Sequence, residues 1–210
     1  MAYLTRAQIE RAARQLADMV VDVHLRVGVR GPDPGAAWDL AADLARLSPL
    51  IHVSWLETNG PDGADGTLAL ALADAAGADR GVWFRTVPQG LEVDVLVQDV
   101  VDLSRGRRPV SPLAAGELAR LRRPLLLEVL VAPDCPRCAH AAALAHRLAM
   151  AAGGLKAAVV DAGAMPSYLD RFRVGTVPYF VVGGRTGFAG PLPELVLVQR
   201  LVQAAAAGAE

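Results

Sequence analysis

Two cysteines occur in the chain, and both lie in one tetrapeptide, Cys135-Pro136-Arg137-Cys138. Thiols at i and i+3 share a face of a helix, and their Cα atoms then fall within the ~4.4–6.8 Å that a disulfide spans. The pair stands where the apolar run Leu125 to Val131 gives way to an Ala/Leu-rich stretch with helical spacing, Pro136 to Ala152. At such a turn Cys135 caps the helix, Pro136 takes the first helical position, where its missing N–H costs nothing, and Cys138 lies one turn inside. Free backbone N–H groups, the positive end of the helix dipole and the neighbouring Arg137 all favour a Cys135 thiolate. The expected chemistry is reversible dithiol/disulfide exchange, with Cys135 attacking and Cys138 resolving.

Other uses of the two thiols fit less well. A structural zinc ion takes about four ligands, and only His140 and His146 stand near the cysteines; on a helix starting at Cys135 both imidazoles cannot join both sulfurs without strain. Covalent haem attachment needs a histidine directly after the second cysteine, where Ala139 stands. No metal and no bound cofactor is expected; the Cys135-Cys138 disulfide is itself the redox group.

Two further features accompany the thiols. Glu128 interrupts an otherwise apolar strand. It either lies buried beneath the thiol pair, where its raised proton affinity would let it take the proton of Cys138, or faces solvent from an edge. Asp134 opposes thiolate formation if its carboxylate is close, but as a loop residue it is expected to point into water. Downstream, Gly175-Thr176-Val177-Pro178-Tyr179 leads into the strand Phe180 to Val182. A cis Val177-Pro178 bond would leave the Val177 backbone free to pair with an extended substrate segment beside the disulfide.

The elements that must hold these residues follow a duplicated order. Thr5 to Ala17 opens with a capping-box pattern and leads to the β-branched stretch Val20 to Val29; Ser111 to Arg123, again helix-like, leads to Leu125 to Val131. After each strand come a Pro/Asp-rich turn, an Ala/Leu-rich helix (Ala36 to Leu47, Pro136 to Ala152) and a second strand (Leu50 to Leu56, Leu155 to Val160). Hairpins follow, Thr67 to Leu72 with Gly81 to Val87 and Val177 to Val182 with Arg185 to Ala189, the latter turning on Gly183-Gly184. Each half closes with a helix containing Leu-Val-Gln, at Leu96 to Gln98 and Leu197 to Gln199. Leu91 to Leu103 also fits a strand period, and the parallel with the second half decides for helix. The fold class is α/β, with a mixed sheet, helices on both faces and right-handed crossovers. The domains are 1–108 and 109–210, joined near Arg105 to Pro109.

Composition sets the outer limits. In 210 residues, 53% apolar and 20% charged, there is enough apolar chain for a full core, so disorder is excluded as the main state. A formal net charge of −1 offers no electrostatic footing for nucleic acid or an anionic membrane. Arg6, Glu10, Arg11, Arg14 and Asp18 fit no secretory signal, and no apolar run is long enough to span a bilayer. The expected location is cytoplasmic, where a permanent disulfide staple would not persist.

Through Cys135 to Cys138 and Thr176 to Pro178 the sequence resembles the thioredoxin/glutaredoxin superfamily. The tandem arrangement looks more closely like the N-terminal domain of the alkyl hydroperoxide reductase F subunit, two thioredoxin-like units with a CxxC only in the second. Glu128, Asp161 and Val174 to Pro178 fall where that family has similar residues. Protein disulfide oxidoreductases of thermophiles are also similar, although they commonly carry a CxxC in each unit. The resemblance implies two βαβαββα units, catalytic Cys135, Cys138, Glu128 and Pro178, and tuning or substrate-binding roles for Pro136, Arg137, Thr176 and Val177. The alkyl hydroperoxide reductase protein continues into a flavin- and nicotinamide-binding reductase, whereas no GxGxxG fingerprint occurs here. A separate flavoprotein similar to thioredoxin reductase is therefore the expected donor, and a peroxiredoxin or another disulfide protein the acceptor. The first unit is redox-silent: Arg30-Gly31-Pro32-Asp33 stands at its corresponding turn, and its hairpin starts at Gly66-Thr67 with no counterpart of Pro178. Its expected role is to extend the sheet or form a docking groove, with Trp38, Trp55 and Trp83 serving either core or partner.

Overall fold

The computed structural model describes residues 3–57, 68–106 and 110–207. The first unit contains α1 (Arg6–Leu16), β1 (Val23–Gly28), α2 (Pro34–Leu47), β2 (Ile51–Leu56), β3 (Leu70–Ala73), β4 (Asp79–Phe84) and α3 (Leu91–Ser104). The second contains α4 (Pro112–Leu118), β5 (Leu125–Val131), α5 (Pro136–Ala151), β6 (Leu155–Asp161), α6 (Pro166–Phe172), β7 (Tyr179–Val182), β8 (Thr186–Ala189) and α7 (Glu194–Ala207). The expected hairpin start at Gly66-Thr67, and part of the expected junction, lie outside the described residues.

Local chemistry accounts for most boundaries. The capping box at α1 forms as read: the Gln8 N–H donates to Thr5 Oγ1, and Gln8 Oε1 accepts from the Thr5 N–H. α2 and α5 each begin with proline at the first helical position. β1 starts at Val23 rather than Val20, because the Val20 and Val21 amides donate to Ser104 Oγ at the end of α3. α4 stops at Leu118, well short of Arg123. The chain there must become extended ahead of Pro124, which disfavours helix in the preceding residue. Leu91–Ser104 is a helix, as the repeat argued. Its periodicity is ambiguous because it is buried on nearly all sides, from Val93 through Leu96 and Val97 to Val101.

The strands form one eight-stranded sheet in the order β2-β1-β3-β4-β6-β5-β7-β8. Each unit contributes four strands in the same relative order, and the units join side by side through the parallel pair β4 and β6, with Val82 opposite Ala157. Gly81 makes the close approach possible: it has φ +72°, and a Cβ there would stand 2.4 Å from the Leu155 carbonyl oxygen. The expectation of a sheet extended by the first unit is therefore met.

Strands β1, β2, β4, β5 and β6 run the same way, so their carboxyl ends line one edge. On one face a single continuous core joins Leu25, Leu40, Leu96, Val129, Leu148 and Leu197 with residues of α1 through α5 and α7. On the opposite face α6 covers a smaller cluster of Leu130, Val160, Ala162, Tyr168 and Val181. The β7–β8 hairpin turns on Gly183 and Gly184, both at positive φ, as expected.

Candidate active site

The turn between β5 and α5 carries the cysteines. Cys135 caps α5, its Sγ accepting from the Cys138 N–H at 3.2 Å, with Pro136 in the first turn. The two residues are joined as a disulfide with Cα atoms 5.1 Å apart. Cys138 is fully buried while Cys135 is half-buried, and Pro136 and Arg137 are exposed beside it. Of the two sulfurs, only the first can meet a protein partner without the helix opening. Asp134 is exposed, as a solvent-facing loop residue should be.

The Val177-Pro178 bond is cis. β7 runs antiparallel to β5 with Tyr179 opposite Leu130, so the next step of the register sets the buried Pro178 beside Val131, at the root of the cysteine turn. The Pro178 carbonyl accepts from Gly190 N–H at 3.0 Å. Val177 lies beyond the last β5–β7 pair, half-buried, and Thr176 before it is exposed. The backbone edge of Val177 therefore follows the disulfide turn at the rim of the sheet.

Glu128 takes the buried alternative, but not beneath the thiols. It is 2% exposed. Side chains alternate along β5: Leu127, Val129 and Val131 face α5 in the main core, whereas Leu130 faces α6. Glu128 shares the α6 face, where its Oε1 accepts from the Tyr168 hydroxyl at 2.8 Å and pairs with the Arg85 guanidinium. Cys138 belongs to the other face. The structure thus corrects the expectation that Glu128 reaches Cys138: the sheet stands between them, and an arginine already engages the carboxylate.

A different buried carboxyl lies at the start of the helix tied to the cysteine turn. Glu92, in the first turn of α3, is 2% exposed. Its Oε2 accepts from Gln89 N–H, and its Oε1 is buried with no hydrogen-bond partner among the described residues. Burial, with a smaller contribution from Asp161, pushes this carboxyl up to about 7, against the Gln89 hydrogen bond. α3 starts against the disulfide loop: Leu91 N–H donates to the Pro133 carbonyl at 2.9 Å, and a Cβ on Gly90, at φ +50°, would stand 2.7 Å from both Pro133 O and Asp134 Oδ1. Sequence reasoning passes over Glu92 because it seeks the carboxyl on the strand leading to the cysteines. The available signal is a helix start that sets Glu92 and Asp94 among leucine and valine, of which Glu92 is the one buried.

The first unit retains the frame of the site without its sulfurs. The residue matching Cys135 is Asp33, the last of the Arg30 to Asp33 turn: Asp33 caps α2, its Oδ1 accepts from Ala36 N–H at 2.9 Å, and Pro34 follows in the place of Pro136. Asp33-Pro34-Gly35-Ala36 is therefore the counterpart of Cys135 to Cys138. Nearby, Trp38 and Trp55 stack with ring centroids 4.4 Å apart, and Trp55 is 51% exposed. Trp83 lies against Lys156 and Asp79. His146 is fully buried, its ring nitrogens on Asp99 Oδ2 (2.6 Å) and the Trp83 carbonyl (3.2 Å), while His140 is exposed.

A groove lined by Asp79, Gly81, Leu125 and Lys156 opens at the amino ends of β4, β5 and β6, the edge opposite the disulfide. The disulfide turn, Glu92 and the cis-proline loop share the carboxyl edge instead.

Fold and site together define a protein of two thioredoxin-like units with one dithiol/disulfide site. Residues 126–203 match the thioredoxin domain family. No curated protein sequence gives a match. Among solved structures, a mutant of the alkylhydroperoxide reductase AhpF from Enterococcus faecalis superposes with a TM-score of 0.80 at 19% identity, over 95% of this chain and 99% of that one. The NTD_N/C domain of the same organism's AhpF gives 0.81 at 18% identity, over 94% and 99%. A protein disulfide oxidoreductase from Aeropyrum pernix K1 gives 0.81 at 21% identity, over 97% and 94%. At these identities the likeness is one of fold.

Proposed function

We propose that the protein is a thiol–disulfide oxidoreductase that reduces disulfides of partner proteins through Cys135 and Cys138. The observation that carries this reading is the half-buried Cys135 at the start of α5, bonded to a buried Cys138 and flanked by a cis-proline loop. In the dithiol state the Cys135 thiolate attacks a partner disulfide. A bond forms from Cys135 Sγ to one partner sulfur, the partner S–S bond breaks, and the second partner sulfur leaves and is protonated. Cys138 then gives its proton to the Glu92 carboxylate and attacks Cys135 Sγ. The intramolecular disulfide forms, and the first partner sulfur leaves as a thiol. Two electrons pass to the partner. Glu92, whose proton affinity lies near neutrality, takes the role that sequence reasoning gave to Glu128. Arg137 and the start of α5 stabilise the Cys135 thiolate. Val177 and Thr176 line the path of the bound segment.

The working redox group is the disulfide itself, with no further cofactor. Electrons reach it from a separate flavoprotein similar to thioredoxin reductase and leave to a peroxiredoxin or another disulfide protein. The likeness to an alkylhydroperoxide reductase favours the peroxiredoxin. We place the activity in the cytoplasm, away from nucleic acid and membrane; among the described residues no helix is long and apolar enough to cross a bilayer. A second reading, a general disulfide oxidase or isomerase, draws on the likeness to a protein disulfide oxidoreductase.

The test is trapping with Cys138→Ser. Cys135 alone should hold the natural partner as a mixed disulfide identifiable by mass, and a peroxiredoxin there selects the first reading. Refolding of scrambled ribonuclease selects the second. A Cys135→Ser/Cys138→Ser protein that keeps full activity would remove both.

A further inference from the structure

On the α6 face of the sheet three side chains, from β5, α6 and the segment after β4, meet at one oxygen. Glu128 Oε1 accepts from the Tyr168 hydroxyl at 2.8 Å and pairs with Arg85, whose Nη1 also donates to the Tyr168 oxygen at 2.9 Å. All three are buried: Arg85 is 4%, Glu128 2% and Tyr168 9% exposed. The Arg85 guanidinium also lies over the Tyr168 ring, 5.7 Å from its centroid. A buried carboxylate with two donors is rigid and directional, because each donor left without it would carry a desolvation cost.

Each member roots a different part of the site. Glu128 is on β5, which runs into the disulfide turn. Arg85 follows β4, its N–H bound to the Val159 carbonyl, and leads through Thr86 toward Gly90 and α3. Thr86 Oγ1 accepts from Asp161 N–H, fastening that loop to the end of β6. Tyr168 is the only buried residue of α6, a helix of seven residues that ends in the left-handed Arg173 and feeds directly into Val174 to Pro178. Leu169 O accepts from Val174 N–H, so the loop inherits the position of α6. Met165, Leu169, Phe172 and Val177, themselves partly buried, pack against the small cluster on this face. Elsewhere α6 is held by Arg171, which donates to the Gly184 carbonyl at 3.0 Å, and by the Phe172 carbonyl, which accepts from the Tyr179 hydroxyl at 3.3 Å; the Tyr168 hydroxyl is its tie to the buried carboxylate.

We propose that the Arg85–Glu128–Tyr168 triad is a positioning device for substrate recognition: it fixes α6, and through it the Val174 to Pro178 loop, at the spacing from Cys135 that a protein disulfide segment needs. The first unit thereby supplies a residue, Arg85, that sets the substrate-binding loop of the second. The cysteines belong to the core on one face of the sheet and the triad lies on the other, so thiol chemistry with small disulfides is outside the triad's reach. The proposal rests on the oxidoreductase reading above.

The experiment compares two substrates with dithiothreitol as reductant: insulin, a protein disulfide, and hydroxyethyl disulfide, too small to use the loop. Tyr168→Phe removes one hydroxyl without changing the ring. It should raise the KM for insulin about 3- to 10-fold, the worth of one ordinary hydrogen bond, with kcat, the hydroxyethyl disulfide rate and the redox potential unchanged. Glu128→Gln, which removes the charge that Arg85 engages, should raise the insulin KM as well, with the hydroxyethyl disulfide rate unchanged. An unchanged insulin KM in Tyr168→Phe would overturn the proposal, and so would a proportional loss on both substrates. A shifted potential in Glu128→Gln would also count against it, by showing that Glu128 acts on the thiols. Wild-type protein that reduces neither disulfide would instead sink the oxidoreductase reading.

Discussion

Leu91 donates its backbone N–H to the Pro133 carbonyl at 2.9 Å, tying the start of α3 to the loop that carries Cys135. α3 belongs to the unit without cysteines, so this hydrogen bond makes the active edge a product of both halves. It also fixes the start of the helix that carries Glu92, one residue on, against the loop before Cys135.

Glu92→Gln should separate the two roles of that carboxyl. As the acceptor of the Cys138 proton it must be ionised, so resolution of a mixed disulfide should speed up as pH rises through about 7. Glu92→Gln should lose that limb and slow resolution by about 10- to 100-fold, read by stopped-flow tryptophan fluorescence. Stability runs the other way. The folded-state pKa lies above the ordinary 4.5, so the neutral form suits the fold, and its contribution is full below about 4.5 and lost as pH climbs to about 7. The shift is worth at most about 3 kcal/mol, and Glu92→Gln should accordingly denature later than wild type above pH 7. Equal denaturation midpoints at pH 8 would show that Glu92 is not buried as described.

The two thiols should differ in reactivity and set an intermediate potential. With Cys138 fully buried and Cys135 half-buried at a helix start, limiting iodoacetamide should alkylate Cys135 first in the reduced protein. Titration against glutathione should give roughly −270 to −180 mV. Arg137 is exposed, so its effect is screened; Arg137→Ser should make the potential more negative by about 10–30 mV. A wild-type value well below the thioredoxin end of that range contradicts the role given to Arg137.

The vacated site of the first unit offers a direct test of the duplication. Asp33 and Ala36 occupy the places of Cys135 and Cys138, with the same cap-to-N3 hydrogen bond and a proline between. Asp33→Cys/Ala36→Cys, made in a Cys135→Ser/Cys138→Ser background, should form a disulfide on mild oxidation, because an i, i+3 pair at a helix start satisfies disulfide geometry. Free thiols that resist oxidation would mean that the two turns differ more than their backbones indicate.

The parts of the fold legible in the sequence are those fixed by local chemistry. The capping box at Thr5, the prolines opening α2 and α5, the Gly183-Gly184 turn and the cysteine turn are each set by a few neighbouring residues. The faces of the strands are harder. Nothing local says whether Glu128 points toward α5 or α6, because an apolar strand buried on both sides shows no alternation. α6 is under two turns long and gives almost no periodic signal. Arg85, Glu128 and Tyr168 are far apart in sequence and meet only through the β4–β6 join, which no local pattern encodes. The Asp99–His146 pair is of the same kind: its members are 47 residues apart, and nothing local in the sequence joins them.

That pair also predicts how the units unfold. Burial raises the Asp99 carboxyl above its ordinary range while His146 pulls it down, and His146 is held as well by the Trp83 carbonyl, so α5 of the second unit rests on α3 and β4 of the first. Removing the imidazole takes the hydrogen-bond partner from the buried Asp99 carboxyl and opens a cavity in the core, and His146→Ala should cost about 2–5 kcal/mol. The same contacts forbid independent melting. A chain of 110–207 alone would present the bare edge of β6, lose Arg85 from Glu128 and uncover the face of α5 against which α3 packs. Calorimetry on the intact chain should therefore give one cooperative transition, lowered but still single in His146→Ala, and residues 110–207 expressed alone should lack a sharp transition. Two resolved transitions in the intact chain, or a separate second unit with native-like melting, would show that the shared sheet does not couple the halves.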